Sequence, residues 1–537
     1  MSFPSKLTAL FLGTAMLAGS FSVCTAENIM IPEITEPYSE SESEAVLSAT
    51  AFRISSLEDL ESFRAGVNTG VLSGYDAVLV SDIDISGVEW VPIGTKDNPF
   101  TGDFDGAGYT VKGLTITKHR DYAGFFGCTR DANISNLKIT EANINISGGQ
   151  GTVSAGILAG SVTAMTPSTT VTVDNICVYG DVTVTSATDN VYASAICGRA
   201  NVDAEQKNAG TVKITNCNAI ADIKAVSSKK SAIAGIIAAD FSSYSTRIST
   251  IENCAAFGNV SANAKTCAFS GIIAANIMST GSEWLSENDG AELYDVLDML
   301  VINCVAGGSA DSYGSVYSQA GVIEGSANSY SSVINCYYLD TCILSARKPA
   351  GSSIREIEQY SGTKITASEL ADLSFLSGKA KLDTDNYWNV KYEMPCLKAF
   401  EPDTYTIKID TGNEETDKTY DFVEGTKVTG AVLPELSNDE NREFIGWEGG
   451  IPLRMPSGNV TITAKWKVLE ELPGDIERDG EVNVKDLVKL TKYLAGFDIT
   501  LTDTETKLAD VNGDGVIDSR DAVKLARYIA GKEIKLG

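Results

Sequence analysis

Val212-Lys213-Ile214-Thr215-Asn216-Cys217 leads into Gly235-Ile236-Ile237-Ala238-Ala239, and the pair returns as Ile251-Glu252-Asn253-Cys254 and Gly271-Ile272-Ile273-Ala274-Ala275. Each run is short, rich in β-branched residues and closed by small ones, which reads as strand and corner rather than helix. Asn-Cys occurs again at 303–304 and 335–336, with Asn175-Ile176-Cys177 as a near variant. The glycine unit occurs again at Gly124-Phe125-Phe126-Gly127, Gly156-Ile157-Leu158-Ala159-Gly160 and Gly321-Val322-Ile323-Glu324-Gly325, with Ser194-Ala195-Ile196-Cys197-Gly198 as a degenerate copy. Its starts at 124, 156, 235, 271 and 321 lie 32, 79, 36 and 50 residues apart, the 79 spanning two units. β-rich runs at such a period predict a solenoid. Apolar spacing of three and four is scarce, so the expected fold is mainly β, a right-handed parallel β-helix with Gly and Ala where the backbone turns sharply.

Outward from this array, 537 residues allow three or four domains. A charge of −29 disfavours nucleic acid and anionic lipid as partners. His119, the single histidine, leaves no His-based zinc site and no Ser-His or Cys-His system elsewhere. At the N-terminus, Lys6 and the apolar run Leu7 to Ala18 predict a signal peptide, residues 1–26, cleaved after Ala26. Acylation of Cys24 is the weaker alternative, because Val23 stands where a small residue is wanted. Residues 27–51, rich in Glu and Ser, are expected to form a disordered leader, and no later stretch is apolar enough to span a membrane. The chain is thus expected to be secreted. Ten cysteines follow Cys24, an even number compatible with disulfides. Their return at one place in each repeat favours a ladder of free buried thiols, and no Cys-x-x-Cys pair suggests a metal.

The lead-in Trp90-Val91-Pro92-Ile93-Gly94, Phe100-Thr101-Gly102-Asp103-Phe104-Asp105-Gly106 and Gly113-Leu114-Thr115-Ile116 resembles that of bacterial GLUG-type β-helix domains. The resemblance covers residues 52–400, includes Cys336-Tyr337-Tyr338-Leu339 and Tyr387-Trp388, and implies a fold more than a reaction. An enzyme on such a solenoid needs converging carboxylates. Asp103 and Asp105 are better read as turn caps, Asp82 and Asp84 as a solvated strand face, and His119 as an exposed loop residue; Arg199 and Lys224 stand in no recognisable constellation. Tyr122, Tyr192, Tyr244, Trp284, Tyr313 and Tyr317, read as loop aromatics, could stack sugars.

Residues 405–467 alternate apolar and polar and carry Phe444-Ile445-Gly446-Trp447 and Lys465-Trp466. They resemble the internalin-type B repeat, which implies a small β-grasp-like module, a spacer or weak adhesin, with Trp447 and Trp466 in its core.

The stretch 468–537 carries the metal chemistry. Asp475, Glu477, Asp479, Asn483 and Asp486 place side-chain oxygens at loop positions 1, 3, 5, 9 and 12; Asp510, Asn512, Asp514, Asp518 and Asp521 repeat them 35 residues on. Such alternation turns hard oxygens around one calcium ion per loop, two ions in all, with Glu481 and Val516 at position 7 offering backbone carbonyls. Gly480 and Gly515 occupy the bend, and Val482 and Ile517 should point into the core. Each loop leads into a helix, and ten of 22 aligned positions are identical. A helix entering each loop, as in an EF-hand, is expected to be missing. This duplication resembles the type I dockerin. The resemblance implies a docking module that binds a cohesin of a scaffoldin, in a cellulosome-like complex. It places the cohesin contacts at Val484, Lys485, Thr491 and Lys492 and at Ser519, Arg520, Ala526 and Arg527. Glu477 departs from the usual Asn and should weaken loop 1 or shift its geometry. The expected function is docking, with the β-helix as a carbohydrate or surface recognition arm; the alternative is a polysaccharide lyase or glycosidase on the β-helix.

Overall fold

The computed structural model describes residues 51–537 except 203–209, 244–246, 280–298, 328–330, 351, 353–355, 414–415, 439–441 and 533–534. The expected signal peptide, the leader up to residue 50, Tyr244 and Trp284 lie outside the described residues. No described helix is long and apolar enough to cross a membrane.

One coil runs Thr211–Thr215, Asn218–Ser227, Ala232–Gly235, Ala238–Ser243; the next runs Ser249–Glu252, Ala255–Ala264, Cys267–Gly271, Ala274–Ser279. Each strand pairs in parallel with its counterpart, as in Ile214 with Ile251, Asn218 with Ala255, Ala232 with Ala268 and Ala238 with Ala274. Stacked this way, the coils make the three long parallel sheets of a β-helix, with Ile, Val and Ala filling its interior.

Two corners repeat. At the first, Asn136, Asn175, Asn216, Asn253, Asn303 and Asn335 all adopt φ of 51–53°. Asn tolerates this left-handed conformation because its short amide bonds locally. Asn175 Nδ2 donates to Asn136 Oδ1 at 2.9 Å, and Asn335 Nδ2 to Asn303 Oδ1 at 2.8 Å. The next residue turns inward: Leu137, Ile176, Cys217, Cys254, Cys304 and Cys336 form one buried row. The Cys217 and Cys254 thiols each lie 3.7 Å from a carbonyl of the coil before, at Val173 and Ile214. All ten cysteines from Cys128 to Cys396 are free and buried. Cys177 is not in this row. Asn175 aligns with the other corner asparagines, so Ile176 takes the inward place and Cys177 faces outward, into the cluster that also holds Tyr179, Phe257 and Trp388; a shift of one residue changes faces. At the second corner a Cβ on Gly156, Gly235, Gly271 or Gly321 would lie 1.7–2.3 Å from the carbonyl oxygen three residues on. At these four places only glycine permits that approach; Ser194, in register with Gly156, takes the same place in the degenerate copy.

The helix Leu57–Asn68, capped by Ser56 Oγ accepting from Asp59 N, closes the first coil with Leu60, Phe63 and Val67. At the other end, Phe375, Leu376 and the hairpin Trp388–Lys391/Met394–Leu397 cover the outside of the long sheet.

The small module is a four-stranded mixed sheet, ordered Lys418–Val423, Thr404–Asp410, Val460–Val468, Arg442–Glu448, with a parallel central pair. Ile407, Ile409, Met455 and Ile462 fill its core and Trp447 packs against them. Trp466, expected in the core, lies outside that cluster and is half-buried, its Nε1 donating to Thr411 O at 2.9 Å and the Arg442 guanidinium 4.6 Å above its ring. The module is clamped to the β-helix. Lys138 Nζ lies 2.8 Å from Glu424 Oε2, both side chains nearly buried. Arg454 Nε lies 2.8 Å from Asp181 Oδ1, and Lys427 Nζ 2.5 Å from Asp222 Oδ2. Ser457 N donates to Glu141 Oε1 at 2.9 Å.

Candidate functional site

The helices Val484–Leu494 and Ser519–Ile529 each follow a carboxylate-rich loop and share a core of Ile476, Leu490, Ala509, Val511 and Leu525, with Val482 and Ile517 packed against it. Both loops close alike. Asp486 Oδ1 and Oδ2 accept from Glu477 N and Asn483 N, each at 2.8 Å. Asp521 accepts from Asn512 N at 3.1 Å and Asp518 N at 2.9 Å. Asp475 Oδ2 accepts from Gly480 N at 2.9 Å, and Asp510 Oδ2 from Gly515 N at 2.7 Å. Glu481 N and Val516 N donate to the position-5 carboxylates of Asp479 and Asp514.

Asp486 and Asp521 are fully buried and Asp475 nearly so. Among the described residues no cationic side chain lies within ion-pair distance of Asp475, Asp486, Asp510 or Asp521. Burial, with Asp486 and Asp479 beside it, pushes the Asp475 carboxyl above its usual range. The outer carboxylates are neutralised: Lys485 Nζ is 2.7 Å from Asp479, and Arg520 is 2.9 Å from Asp514 and 2.7 Å from Asp518. Hydrogen bonds from these cations hold Asp479 and Asp518 below the ordinary carboxylate range. No three His, Cys, Asp or Glu side chains of the described residues converge on one point. The inner carboxylates bond to loop amides and the outer ones to Lys485 and Arg520. An all-oxygen set with buried, cation-free carboxylates fits a hard divalent cation.

The loops differ at position 3. Asn512 Oδ1 accepts from Asp514 N at 3.0 Å within its loop, whereas Glu477 Oε1 lies 4.0 Å from Lys489 Nζ, on the following helix. The expectation that no helix enters the loops holds at Asp475 and needs correction at Asp510. Asp503–Ala509 is a helix that runs into Asp510, and Thr502 and Glu505 form its capping box. Thr502-x-x-Glu505 was the signal for it.

On the helix faces, Val484, Lys485, Thr491, Lys492, Ser519, Arg520 and Arg527 are exposed and Ala526 is half-buried. Thr491 Oγ1 is turned onto its own helix, donating to Leu487 O at 2.8 Å. Val488 and Val523, exposed one turn beyond Val484 and Ser519, belong to the same faces and were missed; the spacing of four could have found them.

On the β-helix, Asp105 Oδ1 accepts from Ala107 N and Asn136 Nδ2, and Asp103 Oδ1 from Asn133, as turn caps and coil ties. Asp82 and Asp84 accept from Thr110 N and Ser86 N. His119 is exposed, 3.6 Å from Asp121. Tyr122, Tyr192, Tyr313 and Tyr317 are half-buried strand residues, not loop aromatics. The Arg199 guanidinium lies 5.0 Å over the Tyr192 ring and 3.6 Å from Asp240 Oδ2. Asp240 also accepts from Asn276 Nδ2 at 2.8 Å, and burial raises its carboxyl despite Arg199. Lys224 is exposed on the long sheet.

Residues 473–530 match the family model of the dockerin type I domain. No curated protein matches the chain. Among solved structures, the chain is similar to a putative immunoglobulin A1 protease from Bacteroides ovatus, at 20% identity and a TM-score of 0.46, over 65% of this chain and 93% of that one.

Proposed function

We propose that the dockerin-type segment, residues 468–537, docks through two calcium-loaded loops onto a cohesin of a scaffoldin, and that the β-helix, residues 52–400, is the recognition arm carried into the complex. In this reading residues 1–26 export the chain, residues 405–467 join arm to dock, and the protein works outside the cell. The observation that carries it is the duplicated loop, with buried Asp475, Asp486 and Asp521, unpaired with any cation among the described residues, within the family match. Two calcium ions would be held by Asp475, Glu477, Asp479, Asn483 and Asp486 with the Glu481 carbonyl, and by Asp510, Asn512, Asp514, Asp518 and Asp521 with the Val516 carbonyl. Calcium would relieve repulsion among these acids, so binding and folding of the segment are linked. The cohesin would meet Val484, Lys485, Thr491, Lys492, Ser519, Arg520, Ala526 and Arg527, joined by Val488 and Val523. In a pull-down against a panel of cohesins, chelation abolishes binding while the β-sheet circular dichroism signal persists. Cohesin capture that survives chelation would sink the reading.

Arg199 and Asp240 support a second reading, a polysaccharide lyase or glycosidase, because a buried acid of raised pKa faces a guanidinium there. Release of oligosaccharide by the full chain, lost in Asp240→Asn, would establish it.

A further inference from the structure

We infer that the cleft between the β-helix and the small module is the binding site for a neutral polysaccharide chain. The inference rests on reading the β-helix as a carbohydrate recognition arm, and it locates the site in neither partner alone.

A cavity of about 410 Å³ opens between the long sheet and the module, within the range of small-ligand sites. The β-helix wall carries Asn143, Tyr179 and Thr183; the module wall carries Glu424, Leu453 and Arg454. A second hollow of about 330 Å³ shares Glu424 and Ser457 and reaches Asp82, Asp84 and Tyr405. The two make one elongated groove, suited to a chain rather than to a single small molecule.

The charges select the ligand. Lys112 is paired with Glu141 at 3.2 Å and Lys138 with Glu424 at 2.8 Å. Arg454 is paired with Asp181 at 2.8 Å and Asp222 at 3.3 Å, and Lys427 with Asp222 at 2.5 Å. Four cations and four acids cancel, so the central cavity has no net charge to offer an ion. The outer hollow adds Asp82 and Asp84, which repel an anionic chain, and Asp403, which is paired with Lys391 at 3.5 Å. What remains is a ligand that donates and accepts hydrogen bonds without charge and has apolar faces for Leu453 and Tyr405. A neutral saccharide chain has these properties. Asn143 and Thr183 bring a side-chain amide and a hydroxyl to the β-helix wall, uncharged groups that can donate to and accept from sugar hydroxyls.

The test uses the full chain and two variants, Asn143→Trp and Thr183→Trp. Both fill the cavity from outward strand positions outside the clamp, where an aromatic is a good strand former. Affinity electrophoresis is run in xyloglucan, mixed-linkage glucan and galactomannan, with polygalacturonate as the anionic comparison. Retardation of the wild type by a neutral glycan, weakened at least about tenfold in either variant at unchanged melting temperature, is the expected result. Retardation that both folded variants retain overturns the cleft but leaves the recognition arm standing. Retardation by polygalacturonate alone overturns the neutral-ligand inference. Retardation by none of the four overturns both the inference and the carbohydrate reading on which it rests.

Discussion

A residue held at φ near +52° carries a local cost that only its side chain offsets. Asn216, at φ 51°, donates from Nδ2 to Asp174 Oδ1 at 2.8 Å. Alanine in this left-handed conformation costs about 1–2 kcal/mol, and glycine escapes that cost. The hydrogen bond adds about 1 kcal/mol. Asn216→Ala should therefore lower unfolding stability by about 2 kcal/mol or more, and Asn216→Gly by roughly half of that, in denaturant titrations. Equal losses would mean that the backbone conformation is not what asparagine supplies. The thiols beside these corners make a second residue-scale prediction. Burial pushes Cys177 and Cys197 up to about 12, and only thiolates attack disulfide reagents. All ten cysteines from Cys128 to Cys396 are buried, so none should be reached by Ellman's reagent in the native protein, and all ten should react in guanidinium. A deficit in guanidinium without reductant would reveal a disulfide.

Among the strands, Glu324–Ala327 holds the one inward compromise of the last glycine corner. Burial pushes the Glu324 carboxyl up to about 6. Gln359 Nε2 donates to Oε1 at 2.8 Å, while Oε2 is buried with no partner. A raised acid keeps its proton in the native state longer than in the unfolded chain. Stability from Glu324 is thus full below about pH 4.5 and lost as pH rises through about 6, a loss of about 2 kcal/mol. Glu324→Gln should remove that slope and raise the melting temperature at pH 7; an unchanged pH profile would refute the assignment. This corner also marks how far the sequence could be read. The glycine unit exposed the period because a Cβ at Gly156, Gly235, Gly271 or Gly321 would collide with a backbone carbonyl, and the Asn-Cys pairs exposed the other corner. Which member of the pair sets the backbone was not legible from repetition, since both recur together; Asn175-Ile176-Cys177 separates them, because asparagine keeps its place and cysteine leaves the row. In the loops the ligand pattern was legible residue by residue. The short helix Asp503–Ala509 was not, because its seven residues carry too little apolar periodicity to stand out beside its capping box.

In the whole molecule, the join between β-helix and module is the part that sequence reading could not reach. Lys138 and Glu424 are 286 residues apart, and neither sits in a motif. Their side chains are nearly buried, as are Tyr179 and its contact with Gly425, where a Cβ would meet the ring at 2.6 Å. A module so clamped cannot serve as a loose spacer, and heat should melt it together with the β-helix in one calorimetric transition, while the dockerin-type segment melts separately and shifts with calcium. Removing one member of a buried ion pair leaves the other uncompensated, at a cost of about 3–5 kcal/mol. Glu424→Ala strands Lys138 in this way, so the module should detach and melt below the β-helix, splitting the single transition in two. The double change Lys138→Met with Glu424→Met leaves no orphan charge, and an apolar pair of similar size is often neutral in such a place. It should restore the joint transition. If Glu424→Ala leaves one transition at an unchanged temperature, the buried pair does not couple the two bodies, and the join rests on Arg454 and Lys427 with their aspartates and on Ser457 with Glu141.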